Sequence, residues 1–254
     1  MKRLMVIKHY TIAFLFVIMW QFFLPVISHA AWTDTAYTGL QSLPVGIGPK
    51  GVAVHKGNRL AVVANTEDSS VSIVNIDTGA VTATISVGPK PEQVVVDEAS
   101  FKAYILHEDG LVSIIDLLTS TRTGQWSIGG KLNAAALNAS GAELIVADKD
   151  GKQLFRVSTS DGAVLQTIAL SNEPASLAFT TGGLKLIVAA EDGGILIFNT
   201  GTWTQEGSIP IKDAKAIAWW AASDRAVAVG HNSVSLINLT TSAFESIQTN
   251  SGLG

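Results

Sequence analysis

From Val45 onward, apolar residues come in short alternating runs, each broken by a turn rich in Gly, Asp, Asn or Ser. In the first copy, Gly51–His55 reads as a strand, Lys56-Gly57-Asn58 as a turn and Arg59–Ala64 as a second strand. Glu67–Ser70 is a loop, Val71–Ile76 a third strand, Asp77-Thr78-Gly79 a tight turn and Ala80–Ile85 a fourth strand. Period-two alternation, β-branched residues and evenly spaced turn residues all predict strands. Second strands recur at 103–106, 144–147, 186–189 and 226–229, and third strands at 112–116, 154–157, 195–198 and 234–238. Nothing after Ala30 shows a convincing 3.6-residue apolar period, so almost no helix is expected.

The copies begin at Val45, Val87, Ile128, Leu170 and Ile211, with spacings of 42, 41, 42 and 41 residues. Four antiparallel strands repeated at this interval are the mark of propeller blades, because one blade cannot bury both its faces and stacked neighbours can. The expected fold is therefore all-β, a β-propeller of four-stranded antiparallel blades with five recognisable repeats, the ring either complete or incomplete. A β-sandwich is the alternative, but it has no need of so regular a period.

The stretch Val62-Val63-Ala64-Asn65, then Val71 to Asp77, then Ile85 to Pro91 resembles the YVTN family of β-propeller repeats. That family has a Tyr-Val-Thr-Asn strand end, a Val-Ser-Val-Ile-Asp strand and a Val-Gly-x-x-Pro connection. Here Asn65 is kept, while Val62 and Ala64 stand for the Tyr and Thr. The connection is good at Val45-Gly46 and at Val87 to Pro91, and eroded in the three later copies. The resemblance spans residues 45–249. It implies a propeller, in a group resembling seven-bladed rings, and leaves activity open: related propellers include binding proteins, surface proteins, redox-enzyme subunits and lactonases.

The first thirty residues differ in kind. Lys2, Arg3 and Lys8 precede an apolar run from Tyr10 to Leu24, then Pro25 and Ser28-His29-Ala30. This is the pattern of a signal peptide over residues 1–30, cleaved after Ala30. The alternative is an uncleaved anchor, since the run approaches the roughly 20 residues that span a bilayer. Residues 31–44 are a lead-in, and 45–254 carry the blades. Cleavage leaves 224 residues and moves the net charge from −4 to −7, because Lys+Arg falls from 17 to 14 while Asp+Glu stays at 21. A mildly acidic chain without a basic run is a poor partner for nucleic acid, and cleavage leaves no stable membrane anchor. The expected location is the periplasm or the cell exterior. The chain has no cysteine, which excludes disulfides, thiolate metal sites, a thiol nucleophile and covalently attached c-type haem.

Blade closure has three readings. Ala36 to Leu43 sits where a fourth strand belongs, before the first blade connection. The chain is a fragment, or it closes on five blades with residues 36–43 as an extra edge strand, or a second copy completes the ring as a homodimer.

Antiparallel alternation puts the loop that leads into strand one and the loop between strands two and three on one face of the blades. This face collects Asn65, Lys90, Glu92, His107, Glu108, Asp109, Lys131, Asp148, Asp150, Glu191 and His231, and loops on a rigid scaffold are where ligands bind. The competing reading is that charged turns only keep a β-rich surface in solution. His55 belongs to the opposite face. His107 and His231 occupy equivalent places in blades two and five, too far apart for one metal. Asp148-Lys149-Asp150-Gly151 is too short for a calcium loop and reads as a β-turn. No nucleophile elbow, phosphate-binding glycine loop or dinucleotide fingerprint is present. No catalytic residue, metal ligand or cofactor is therefore assigned. Of Trp219 and Trp220, adjacent on one strand, one is expected to pack between blades. The functional expectation is an exported, non-enzymatic scaffold that binds a protein partner or a small ligand; the alternative is a lactonase-like hydrolase or a redox-system component.

Overall fold

The computed structural model describes residues 42–220, 224–230 and 232–248. The chain divides into a unit 1–42 and a unit 43–254. The first thirty residues lie outside the described residues, as does most of the strand expected at 36–43, of which only Ser42 and Leu43 are described and lie in no strand.

The second unit is a row of five four-stranded antiparallel sheets. The first holds β1 (Pro49–His55), β2 (Leu60–Asn65), β3 (Ser70–Asn75) and β4 (Ala80–Ser86); the second holds β5 (Pro91–Asp97), β6 (Lys102–His107), β7 (Leu111–Asp116) and β8 (Thr121–Ser127). The third holds β9 (Leu132–Leu137), β10 (Glu143–Asp148), β11 (Gln153–Ser158) and β12 (Val164–Ala169); the fourth holds β13 (Pro174–Phe179), β14 (Lys185–Ala190), β15 (Gly194–Asn199) and β16 (Thr204–Ile209). The fifth holds β17 (Ala216–Trp220), β18 (Arg225–Val229), β19 (Ser233–Asn238) and β20 (Ala243–Gln248). Each sheet is a meander, and helix among the described residues is one 3-10 turn at Thr181–Gly183. The strands expected from residue 51 onward are all present, each within two residues of its expected end.

The turn from third to fourth strand shows how sequence makes this meander. Asn75, Asp116, Ser158, Asn199 and Asn238 end the third strands, and each side-chain oxygen accepts from backbone N–H groups two or three residues on. Such self-bonding pulls the backbone out of the strand and into a turn. The turn then needs a left-handed residue, supplied by Gly79, Ser120, Gly162, Trp203 and Ser242. At Trp203 a bulky residue holds φ at 57°, and its ring lies 4.4 Å from the Arg156 guanidinium in the preceding sheet.

Neighbouring sheets bury an apolar layer between them. First strands stand beside first strands in the order β1, β5, β9, β13, β17, giving four joints. The joint of sheets one and two packs Val62, Val71 and Ile73 against Val94, Ile105 and Leu117. The next packs Leu106, Val112 and Ile114 against Ala135, Leu144 and Val157, and the same positions recur in the last two joints. Burying one such side chain contributes about 1.5–3 kcal/mol relative to leaving it exposed, so these joints hold the row together. At the third joint Arg156 replaces the expected apolar residue; it grips Glu143 at 2.9 Å and Gln166 at 2.7 Å and is covered by Trp203. The row does not close: among the described residues β17 does not return to β1.

Candidate functional site

The loop face is assembled as antiparallel alternation requires. In the first four sheets the loop after the second strand hydrogen-bonds to the loop that leads into the first strand of the same sheet: Thr66 N–H to Gly48 O, Glu108 N–H to Lys90 O, Lys149 N–H to Lys131 O and Glu191 N–H to Glu173 O, at 2.9–3.2 Å. The sequence-derived residues on this face separate into two layers.

The inner layer is buried and structural. Asn65, His107 and Asp148 each end a second strand and are 0%, 0% and 3% exposed. Asn65 donates to Ser70 Oγ at 2.9 Å and Ser72 Oγ at 3.0 Å. His107 Nδ1 meets Pro89 O at 2.7 Å, and its Nε2 meets Ser113 Oγ at 2.9 Å. The carbonyl oxygen can only accept, so Nδ1 carries the proton and Nε2 accepts from the serine. Burial pushes the pKa of His107 down. Asp148 accepts from Lys131 N–H at 2.9 Å, Gly151 N–H at 3.1 Å and Gln153 Nε2 at 2.8 Å. Each of these residues ties the incoming loop or the third strand to the second strand. They lie under the loop face rather than on it. Ala190 and Gly230 take this place in sheets four and five, where the polar tie is missing. Strand pairing thus sets Gly230, not His231, in the position equivalent to His107; His231 itself lies outside the described residues.

The outer layer is charged and largely self-neutralising. Glu108 sits between Lys90 at 2.8 Å and Lys131 at 3.4 Å. Lys149, one repeat later, reaches Glu191 at 3.3 Å and Glu173 at 3.6 Å, and Glu191 reaches Lys215 at 2.8 Å. Lys50 pairs with Glu92 at 2.6 Å across the first joint. The hydrogen bond from Lys90 lowers the pKa of Glu108 and raises that of Lys90. The hydrogen bond from Lys215 lowers the pKa of Glu191, and the bond that Lys149 donates to Glu191 raises that of Lys149. Most of these pairs cross a joint between sheets, so the belt stitches blades together. Asp109 and Asp150 point into solvent beyond it. The sequence reading missed Lys149 and Lys215. Their signal is the 41-residue step from Glu108 to Lys149 and the sign change at equivalent positions. No group of three His, Asp or Glu side chains among the described residues has metal-binding geometry.

On the opposite face His55, 2% exposed, accepts from Asn58 N–H at 3.1 Å and stacks on Phe101 with ring centroids 4.8 Å apart. Asp97, Asn138 and Thr180 cap the same turn in the next three sheets. Trp219 packs into the last joint and donates to Thr181 Oγ1 at 2.9 Å, and Trp220 beside it is half-buried.

The uncovered chemistry lies at the ends of the row. Val52, Val94, Ala135, Leu177 and Ile217 hold one position, paired to equivalent second-strand residues. The last four are 5–8% exposed and face the preceding sheet; Val52 is 64% exposed. Ile76 repeats the contrast at 42%, against buried Leu117 and Leu239 in the same place, and Val54 is 43% exposed where Val96, Leu137, Phe179 and Trp219 are half-buried.

Five meander sheets joined face to face by their apolar layers make this chain a set of β-propeller blades. The fold of hydrazine synthase from Kuenenia stuttgartiensis is similar, with a TM-score of 0.74 and 13% identity over 84% of this chain and 69% of that one. At that identity the likeness speaks for the fold alone. No protein-family profile and no curated protein matches the sequence.

Proposed function

We propose that this protein is an exported, non-enzymatic propeller scaffold of the YVTN type that binds another polypeptide in the periplasm or outside the cell. One observation carries the reading. The sheet face holding Val52, Val54 and Ile76 is built like faces that are buried at four other places in the same chain, and it is left uncovered. Contiguous exposed apolar surface on a rigid sheet marks a protein contact. The charged loop face supports the reading from the other side, since Glu92, Glu108 and Glu191 already hold lysines. The net negative charge and the absence of a basic run speak against nucleic acid.

Native mass spectrometry of the protein recovered from the periplasm or medium tests this. The expected species is the chain beginning at Ala31, free of metal and holding a second polypeptide. A stoichiometric metal ion or retained small molecule would overturn the scaffold and favour the hydrolase or redox reading.

A further inference from the structure

We infer that the two ends of the row are halves of one joint, and that the leading face of the first sheet docks on the trailing face of the fifth sheet of a second copy of this chain. This rests on the polypeptide-binding reading and names the partner.

The argument is positional. Every internal joint pairs the trailing face of one sheet with the leading face of the next. On the trailing side, Ala64, Leu106, Ala147 and Ala189 hold one second-strand position and are fully buried. Val229 holds that position in the fifth sheet and is 38% exposed. Ala218 is exposed where Ala53, Ala136 and Ala178 pack against the next sheet, and Leu236 is half-buried where Ile73, Ile114 and Ile197 are buried. On the leading side Val52, Val54 and Ile76 stand open, as above. The two ends therefore present complementary halves of a contact that the chain makes four times internally.

Polar features point the same way. At two joints the preceding sheet donates to a proline carbonyl that opens the first strand of the next: Thr66 Oγ1 to Pro91 O at 2.6 Å, and Asn133 Nδ2 to Pro174 O at 2.7 Å. Pro49 holds that place at the leading end. Because the two faces differ, the contact is head-to-tail: each copy offers one of each, and the pitch of the joint sets whether copies close or run on.

Blocking one face at a time tests the idea on the full chain. Val52→Lys blocks the leading face and Val229→Lys the trailing face; both sites are exposed, so the fold should survive, with circular dichroism as the check. Val54→Lys serves as a second leading-face variant. By sedimentation velocity, the wild type should associate as concentration rises, and each variant alone should stay a single chain, its self-association weakened at least a hundredfold. A mixture of Val52→Lys and Val229→Lys should form a one-to-one dimer, since each retains the half that the other lacks. A wild type that remains a single chain at every concentration overturns the proposal, as do variants that still associate alone or a mixture that does not pair. A single-chain wild type carrying a different polypeptide overturns this proposal while leaving the scaffold reading in place; a stoichiometric metal or small molecule overturns the scaffold reading itself.

Discussion

Val52 and Val94 are the same residue in the same place of successive sheets, 64% and 5% exposed. Only the presence of a preceding sheet separates them. Val94→Asp should lose about 3–5 kcal/mol, because it buries an unpaired charge within a joint. Val52→Asp should change the stability of the separate chain by less than about 0.5 kcal/mol. Urea unfolding at low protein concentration reads both. Equal costs would mean that the leading face is covered within one chain.

His107 gives the fold a pH dependence whose sign follows from burial. Its folded pKa lies below the ordinary 6.5. Below pH 6.5 the unfolded chain takes up the proton first, so stability is complete above that pH and falls as pH drops towards the folded value. Urea midpoints on either side of pH 6.5 should show the loss, and His107→Gln should remove that part of it. His107→Ala should cost about 1–3 kcal/mol by leaving Pro89 O and Ser113 Oγ without their partner.

Gly162 and Trp126 meet across the second joint. A Cβ on Gly162 would lie 2.2 Å from the indole, and its φ is 77°. Gly162→Ala should therefore lose about 2–4 kcal/mol, from left-handed backbone and overpacking together. Gly129, with φ 84° and open space around it, is the control. Gly129→Ala should cost only the backbone share, about 1–2 kcal/mol. Thermal unfolding compares the two, with indole fluorescence reporting on Trp126.

Glu108 holds the ion-pair belt between Lys90 and Lys131. Glu108→Lys should bring three lysines together and lower the melting temperature. The loss should shrink towards 1 M salt, where the screening length falls to about 3 Å. A loss insensitive to salt would mean that Glu108 acts through packing instead.

Most of the strand pattern was legible because a meander blade is a local object. Each strand carries its own alternation, and Asn75, Asp116 and Asn199 announce their turns by residue type. The face shared by the incoming loops and the loops after the second strands was legible too, since it needs only antiparallel order. Burial of candidate residues was not. Asn65, His107 and Asp148 are polar and sit at strand ends, where sequence cannot tell a surface turn from a polar tie beneath one. Lys149 and Lys215 look like ordinary solvent-facing lysines until the joints bring Glu173 and Glu191 to them.

By itself the sequence determined the repeat, four strands to each copy and the apolar faces that must stack, because those depend on residues near one another in the chain. Only tertiary structure decided which faces are covered and which charges cancel. Val52 and Val94 carry the same side chain in the same local pattern, and what separates them is a neighbouring sheet that no local pattern encodes.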